Sequence, residues 1–332
     1  MNIYLITGGA GFIGSNYIST LINNKKNKII VIDKLSYAGN IKNLKHFILK
    51  KNFKFIKTNI GNKKVITKIL RKYQPNYIVN FAAETHVDTS ILFPNRFALN
   101  NVYHSVSFLN DALNYWQNID SFSKKKFRFI QISTDEVYGC LKKNEMPFTE
   151  KSNLNPRNPY SSSKAAFDHF VLSYFNTYGM PNIITRCSNN FGKNQNLEKL
   201  IPMCINKLNL NKKIPIYGNG SQIRDWLHVL DHCKVINLII KKGKKGEVYN
   251  IGNSNEIKNI ELVKMICKIF DRIKPLTNFQ HSSLIYYVKD RLGHDTRYSI
   301  NPSKIKKEFN WSSKKNFKIE LENTVKFYIN NK

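Results

Sequence analysis

Short apolar runs recur through the first 190 residues, at 3–6, 29–32, 53–55, 77–81, 127–132 and 181–185. Between them lie stretches whose apolar positions repeat at helical spacing, at 13–22, 63–73, 100–116 and 160–178. Runs of that length rich in Ile, Val and Phe fit strands, and the longer periodic stretches fit amphipathic helices. Their regular alternation predicts βαβ units around a doubly wound parallel sheet, an α/β fold. The last third is less regular, with turn signals at Tyr217-Gly218-Asn219-Gly220 and Ile251-Gly252-Asn253 and a helical pattern over 260–270. It reads as a smaller α/β lobe. The expected division is a first domain over residues 1–185 and a lobe over 186–332, with some later segments returning to the first domain. No internal repeat and no linker rich in Pro, Gly or Ser separates the two, so they are expected to share an interface.

Composition changes the picture only at its edges. The 332 residues carry 53 Lys and Arg against 22 Asp and Glu, a formal charge of +31, with 42% hydrophobic residues. A chain of this length buries a sizeable core, which excludes a small disulfide scaffold and an unfolded polyelectrolyte. The basic surplus would mark a nucleic-acid binder if it gathered into a stripe or an arm. It does not: lysines are scattered, and the clusters Lys124-Lys125-Lys126 and 241–245 fit solvated loops or helix ends. Aliphatic stretches such as Leu238-Ile239-Ile240 are far too short to span a bilayer. The first six residues read as a strand rather than a signal peptide, so a cytoplasmic protein is expected. Five cysteines, an odd set without a C-x-x-C pair, suit reduced thiols. His228 and His232 stand four apart but lack the third partner of a zinc motif, and no metal is expected.

Two constellations carry chemistry. Gly8, Gly11 and Gly14 follow the first strand and open the first helix, a spacing that permits a tight turn and lets backbone N–H groups approach a pyrophosphate. The second strand ends in Asp33, about 20 residues further on, where a carboxylate binds a ribose and repels a 2′-phosphate. That favours NAD over NADP, although a tight turn and a cap are the plainer readings of these residues. In the second constellation, Tyr160 and Lys164 stand four apart at the start of a helix, so phenol and ammonium share a face. A cation beside a tyrosine favours the phenolate that proton abstraction from an alcohol requires. A surface contact is the alternative. Ser133-Thr134-Asp135-Glu136 ends a predicted parallel strand, and these types suit either a helix cap or general acid and base work.

These motifs, with the segments 7–15, 33–40, 82–88, 132–139, 159–164, 187–190, 198–202, 222–226 and 290–295, resemble an extended short-chain dehydrogenase/reductase, and most closely the dTDP-glucose 4,6-dehydratase family. The resemblance implies a Rossmann-type sheet, NAD as cofactor, a nucleotide-sugar substrate and a homodimer built on helices at 100–116 and 160–178. It implies a redox-neutral cycle. Tyr160 removes the C4 hydroxyl proton as hydride leaves C4 for NAD⁺, with Lys164 keeping the phenolate ionised and Thr134 polarising the C4 oxygen. Glu136 takes the C5 proton, Asp135 protonates the departing C6 hydroxyl, and hydride returns to C6. Deoxysugar supply of the rhamnose type is the implied destination.

By the same resemblance Gly8, Gly11, Phe12, Ile13, Gly14, Asp33, Lys34, Leu35, Ser36, Asn59, Ile60, Ala82, Ala83, Glu84, Asn100, Tyr160, Lys164 and Asn190 fall at cofactor positions. His86, Thr134, Asp135, Glu136, Asn189, Lys199, Leu200, Pro215, Tyr217, Arg224, Asn259, Arg291, His294 and Tyr298 fall at substrate positions, with Arg224 and Arg291 suited to a diphosphate. A structural Arg224–Asp225 pair, and turn-closing roles for Asn189 and Asn259, stay open. The chain departs from the family pattern at Asn59, usually Asp, and at Asn100, usually Thr. Thr89 stands for Arg, Phe191 for Tyr, and Leu197 and Leu292 for Pro. A sugar-nucleotide 4-epimerase and a dehydratase of another nucleotide sugar are the near alternatives. A nucleic-acid binder, motivated only by charge, is the alternative of a different class.

Overall fold

A computed structural model describes residues 1–277 and 279–330. Twelve strands run in chain order: β1 (Asn2–Thr7), β2 (Asn27–Asp33), β3 (Phe53–Lys57), β4 (Tyr77–Asn80), β5 (Arg128–Thr134), β6 (Asn182–Cys187), β7 (Asn189–Phe191), β8 (Ile214–Tyr217), β9 (Ile223–His228), β10 (Val248–Ile251), β11 (Glu256–Lys258) and β12 (Ile285–Val288). Seven form one sheet in the order β10-β6-β5-β4-β1-β2-β3. Every neighbouring pair in it is parallel. The order reverses between β1 and β4, and such a sheet opens a crevice outside its strand C-termini at that point.

The strands alternate inward residues between two cores, as period two demands. Tyr4, Ile6, Ile29, Val31 and Ile130 face one core with the helices Phe12–Leu21 and Val229–Lys242. Leu5, Ile30, Ile78 and Phe129 face the other, under the helices Lys63–Tyr73, His104–Asn118 and Pro159–Tyr178. Several segments beyond residue 186 thus belong to this first unit: the helix Val229–Lys242 covers the sheet, and β10 extends it beside β6. A third core around Ile205, Trp226, Leu262, Ile266 and Leu321 holds the smaller lobe. Its strands pair as β11-β9-β7 and β12-β8. The chain passes from the large sheet to the small one at Ser188, between β6 and β7. That crossing lays residues 187–190 on the floor between the two units.

The expected helix over 100–116 starts differently. Residues Ala98–Tyr103 make a wider π-type turn that leads into the regular helix His104–Asn118. Asn101 is the physical reason: its buried amide donates to the Glu84 carbonyl and to the Ser163 hydroxyl, both at 2.9 Å, and accepts from the Glu84 N–H at 2.8 Å. Such bulges recur at functional sites.

Candidate active site

A cleft of about 1570 Å³, open solvent at its mouth included, runs along the C-terminal ends of the large sheet and is lined from Gly8 to Lys199. At its first end Gly8 adopts φ +66°, and a Cβ there would lie 2.7 Å from the Ala82 nitrogen. A Cβ on Gly14 would lie 2.5 Å from the Gly8 carbonyl oxygen. Both glycines are required by backbone approach, not by local flexibility. The helix that follows begins at Phe12 with no side chain capping its first N–H groups. Orphan donors facing a cleft make a fitting seat for a pyrophosphate.

Asp33 lines the same cleft and is buried. One carboxylate oxygen accepts from the Ala10 N–H at 3.0 Å and the other from the Leu35 N–H at 2.8 Å. Asp33 therefore also ties the glycine loop to the second strand. Burial lifts its carboxyl above the ordinary value, and the two backbone donors oppose that rise. Leu35 itself does not line the cleft; it sits at φ +57° and contributes its N–H to Asp33. Phe12, Ile13, Lys34, Ser36, Asn59, Ile60, Ala82, Ala83, Glu84, Asn100 and Asn190 all line it. Buried Glu84 accepts from Lys34 at 2.8 Å and from Arg96 at 2.9 Å, and Lys34 also donates to Asn100 at 2.9 Å. Asn59, expected at a cofactor position, accepts from the Gly61 N–H at 2.8 Å, so one lone pair of its side-chain oxygen is already used.

At the middle of the cleft, β5 ends in Thr134, whose hydroxyl caps a single helical turn, Asp135–Tyr138, by accepting from the Glu136 N–H at 3.3 Å. The cap and the acid–base pair are thus one structure. Asp135 is buried, 3% exposed, with one oxygen taking the Thr134 hydroxyl at 3.2 Å and the other without a protein partner. Burial first, then the charges of Glu136 and Asp225, hold its carboxyl well above the usual range. Burial raises Glu136 too, but Arg224 and Lys199 pull it back. Both carboxyls are thus raised, Asp135 the more strongly, because acidic neighbours add to its burial while cations offset that of Glu136.

The helix Pro159–Tyr178 opens with an Asn158–Ser161 capping box and places Tyr160 and Lys164 in the cleft on one face. Tyr160 is driven well above its ordinary value by burial and by the Glu136 charge, while a bond to Thr134 works the other way. Lys164 donates to the Ile132 carbonyl at 2.7 Å; burial lowers its pKa and Asp168 opposes that. Behind it Asp168 accepts from Ser133 and from Arg186, both at 3.0 Å, and Arg186 donates to the Tyr138 hydroxyl at 3.0 Å. Sequence reasoning missed this buried floor. Its one signal was Asp168 at four residues past Lys164, on the same helix face.

Of the expected substrate residues, Asn189 and Lys199 line the cleft with the Thr134-Asp135-Glu136 run. Tyr298 reaches Glu136 at 3.5 Å and also bonds Asp295, and the Arg224 guanidinium stacks 4.2 Å over the Tyr298 ring. Arg224 does not pair with Asp225, which instead accepts the N–H groups of Asn253 at 2.9 Å and Asn255 at 2.7 Å. Adjacent residues of a strand point to opposite faces, so the salt-bridge reading of that pair falls. Tyr217, Arg291 and His294 gather at the mouth, with the guanidinium 5.0 Å over the Tyr217 ring and that ring edge-on to His294. His86 faces them, 3.8 Å from Asp88 and 4.0 Å from Glu198. His86, Tyr217, Arg224, Arg291, His294 and Tyr298 stand outside the lining, as do Leu200, Pro215 and Asn259, at the start of the helix Leu200–Asn209, within β8 and at the start of the helix Asn259–Ile273. The Asn259 side-chain oxygen is buried without a partner, so it does not close a turn. The cleft also recruits Thr85, Ser133, Cys187, Ser188 and Glu198, which lie in the motif segments without having been given a site role, and Gln195 and Asn196, which no motif had singled out. Cys187 is no nucleophile there, since burial pushes its thiol up to about 12.

His228 and His232 diverge. His228 caps the helix Val229–Lys242 and lies 3.6 Å from Glu320, whereas His232 contacts Asn190 at 3.0 Å and is lowered to about 3 by burial. Asn190 is thereby held from behind, with its amide also donating to the Ser188 carbonyl at 2.9 Å.

Comparison with known proteins agrees with this geometry. The family model described as GDP-mannose 4,6 dehydratase matches residues 5–324. The chain is 46% identical over 334 residues to the dTDP-glucose 4,6-dehydratase of Haemophilus influenzae, covering 100% of this chain and 98% of that protein. Among solved structures it is similar to the dTDP-glucose 4,6-dehydratase of Bacillus anthracis in complex with NAD, with a TM-score of 0.87, 41% identity and coverage of 100% and 97%. The enzyme of the same name from Streptomyces venezuelae, also with NAD bound, superposes with a TM-score of 0.90 at 36% identity, covering 99% of this chain and 97% of that one. A matching model along nearly the whole length, and relatives this similar end to end, place the chain in the dTDP-glucose 4,6-dehydratase family of extended short-chain dehydrogenases/reductases.

Proposed function

We propose that the chain converts dTDP-glucose to dTDP-4-keto-6-deoxyglucose and water with NAD as a regenerated cofactor. The observation that carries this reading is the Asp135–Glu136 pair, two adjacent buried carboxyls beside Tyr160, of which Asp135 is raised further by acidic neighbours while cations offset the rise of Glu136. An epimerase has no C6 group to expel and needs no such pair.

The uncapped first turn at Phe12, the cradle of Gly8 and Gly14 and the buried carboxylate of Asp33 fit NAD. When bound, NAD supplies the acceptor for hydride from C4 and its donor at C6. Tyr160 takes the C4 hydroxyl proton. Its burial makes the phenolate costly, so a positive charge is needed near it, and Lys164, one turn further along the helix and lining the same cleft, is the residue given that role. The Thr134 hydroxyl, beside the phenol, orients the C4 oxygen. Oxidation at C4 acidifies C5. Glu136, kept basic by Arg224 and Lys199, takes the C5 proton, and Asp135, kept protonated, gives its own to the leaving C6 hydroxyl. The C5–H and C6–O bonds break, a C5–C6 double bond forms and water leaves; as C6 takes hydride Glu136 returns its proton to C5, and the proton taken by Tyr160 replaces the one given up by Asp135. Arg224 and Arg291 from the smaller lobe hold the diphosphate.

A homodimer is part of the same reading. The segments around His104–Asn118 and Pro159–Tyr178 leave Tyr103, Phe170 and Tyr178 exposed, a surface suited to a second copy. Among the described residues no helix is long and apolar enough to cross a membrane. A cytoplasmic enzyme supplying a rhamnose-type deoxysugar fits. The test sets dTDP-, UDP- and GDP-hexoses side by side. Loss of water from dTDP-glucose to a 4-keto-6-deoxy product, without NADH accumulation, is expected. A C4 epimer, or no product at high enzyme concentration, overturns the proposal. A monomeric mass in sedimentation overturns the dimer.

A further inference from the structure

The mouth of the cleft carries a contact between the two units that the reaction scheme leaves unused. Asp88, on the short helix Val87–Leu92 of the larger unit, faces Arg291 of the smaller lobe, 203 residues away in the chain. One carboxylate oxygen lies 2.5 Å from the Arg291 Nε, and the other accepts from a terminal nitrogen at 2.8 Å. The Tyr217 hydroxyl donates to that second oxygen at 3.4 Å while its ring lies under the guanidinium. Arg291 is thus gripped along one edge by a carboxylate and on one face by an aromatic ring. The other terminal nitrogen is left for another anion, because a guanidinium offers five donors in a fixed plane. Arg291 stands close enough to Glu136 for its charge to act there.

From this we infer that Asp88 is a positioning residue: it orients Arg291 so that the free edge of the guanidinium meets the diphosphate of the nucleotide sugar. The inference deepens the proposed function and rests on Arg291 being a diphosphate ligand. An unpaired arginine on this loop would lose rotamer freedom on meeting its ligand, whereas a pre-oriented one has already lost it. Asp88 acts on substrate affinity through Arg291, and not on the bond-breaking steps.

The experiment measures thymidine diphosphate affinity and the kcat and KM of the NAD-loaded full chain for Asp88→Asn, Asp88→Glu, Arg291→Ala and the double variant Asp88→Asn/Arg291→Ala. Both partners are partly exposed, so Asp88→Asn should weaken thymidine diphosphate by only about three- to fivefold and raise KM by a similar factor with little change in kcat. Arg291→Ala should weaken it by about 30-fold. Adding Asp88→Asn to Arg291→Ala should then change nothing, as it acts through a side chain no longer there. Asp88→Glu restores the charge and should recover part of the loss. If Arg291→Ala leaves affinity unchanged, the diphosphate role of Arg291 fails and the inference with it. If Arg291→Ala weakens binding while Asp88→Asn leaves it unchanged or tightens it, or lowers only the melting temperature, the positioning role alone is overturned.

Discussion

Replacing Asp135 with Asn removes one proton donor and changes little else. The side chain keeps its volume and its Oδ1, which takes the Thr134 hydroxyl at 3.2 Å, so the end of β5 should hold its shape. What is lost is the acid. Hydroxide is a poor leaving group, and a positioned acid contributes about 10²–10⁴-fold to such a step. Asp135 is buried beside two further carboxylates, which favours its protonated form well beyond that of an ordinary aspartate. The middle of that range, a fall of about 10³ in kcat or about 4 kcal/mol in the barrier, is the expected loss, with KM nearly unchanged. The pH dependence gives an independent sign. Activity needs Asp135 protonated, so the parent enzyme should lose rate as pH rises through the raised Asp135 value. That alkaline limb should vanish from the residual activity of the variant. The acid limb, set by Glu136 and shifted upward by burial, should remain in both. Stability follows the same linkage. A carboxyl whose folded value is raised contributes stability that is complete below about pH 4 and is lost as pH climbs through the folded value. Asn does not titrate, so the variant should gain on the parent in thermal melts as pH rises. A variant that keeps more than a tenth of kcat, or an unchanged alkaline limb, would refute Asp135 as the acid.

Three further perturbations test the frame around that pair. Gly8→Ala forces a methyl group to within 2.7 Å of the Ala82 nitrogen at φ +66°, and should lower stability by about 1–3 kcal/mol and weaken NAD binding, read by melts and by NAD titration. Arg186→Met leaves Asp168 buried with only the Ser133 hydroxyl for a partner, and should lower stability in denaturant unfolding by about 3–5 kcal/mol. Asn59→Asp keeps the acceptor that holds the Gly61 N–H at 2.8 Å and adds a charge to it, so the NAD dissociation constant should fall by about threefold in a fluorescence titration.

The parallel sheet was readable from the sequence because its strands are buried on both faces and therefore print as unbroken apolar runs, such as Ile29-Ile30-Val31-Ile32. The helix expected over 63–73 is found as Lys63–Tyr73, with Asn62 capping one end and an αL residue, Gln74, closing the other. The candidate cofactor and catalytic positions were equally easy to pick out, since each belongs to one strand end or one helix turn and its spacing is local. What escaped is non-local. Asp88 and Arg291 meet only after the smaller lobe folds over the larger, and nothing near Asp88 in the chain announces a cation. Asp168 and Arg186 were hidden differently: both are buried and paired, one in a helix and one in β6, and a lone charge in either pattern reads as a surface residue until its partner is known. Asn101 breaks the helical period from within, because its side chain is spent on the backbone of Glu84 rather than on solvent.

The surplus of +31 is reconciled with an acid–base enzyme by where the 22 acidic residues remain. None of the helices Phe12–Leu21, Lys63–Tyr73, His104–Asn118 and Pro159–Tyr178 has an acidic residue in its first turn. Asn62 and Asn158 supply capping oxygens for two of them. Asparagine caps about as well as aspartate, so only the smaller dipole contribution, about 0.3–1 kcal/mol per end, is forgone. Lysine clusters close helices, as at Ser121–Lys126 and Val229–Lys242, where a cation meets the negative end of the dipole. At these helix ends, then, an asparagine or a lysine serves structure about as well as an acid would. Inside the cleft that exchange is not open. Asp33 must accept two backbone N–H groups, Glu84 must offset Lys34 and Arg96, Asp135 must carry a proton and Glu136 must take one, and at each of these four positions the carboxyl is present. The charge balance of the whole chain therefore reports which positions tolerate exchange, and the acidic residues in the cleft report the chemistry.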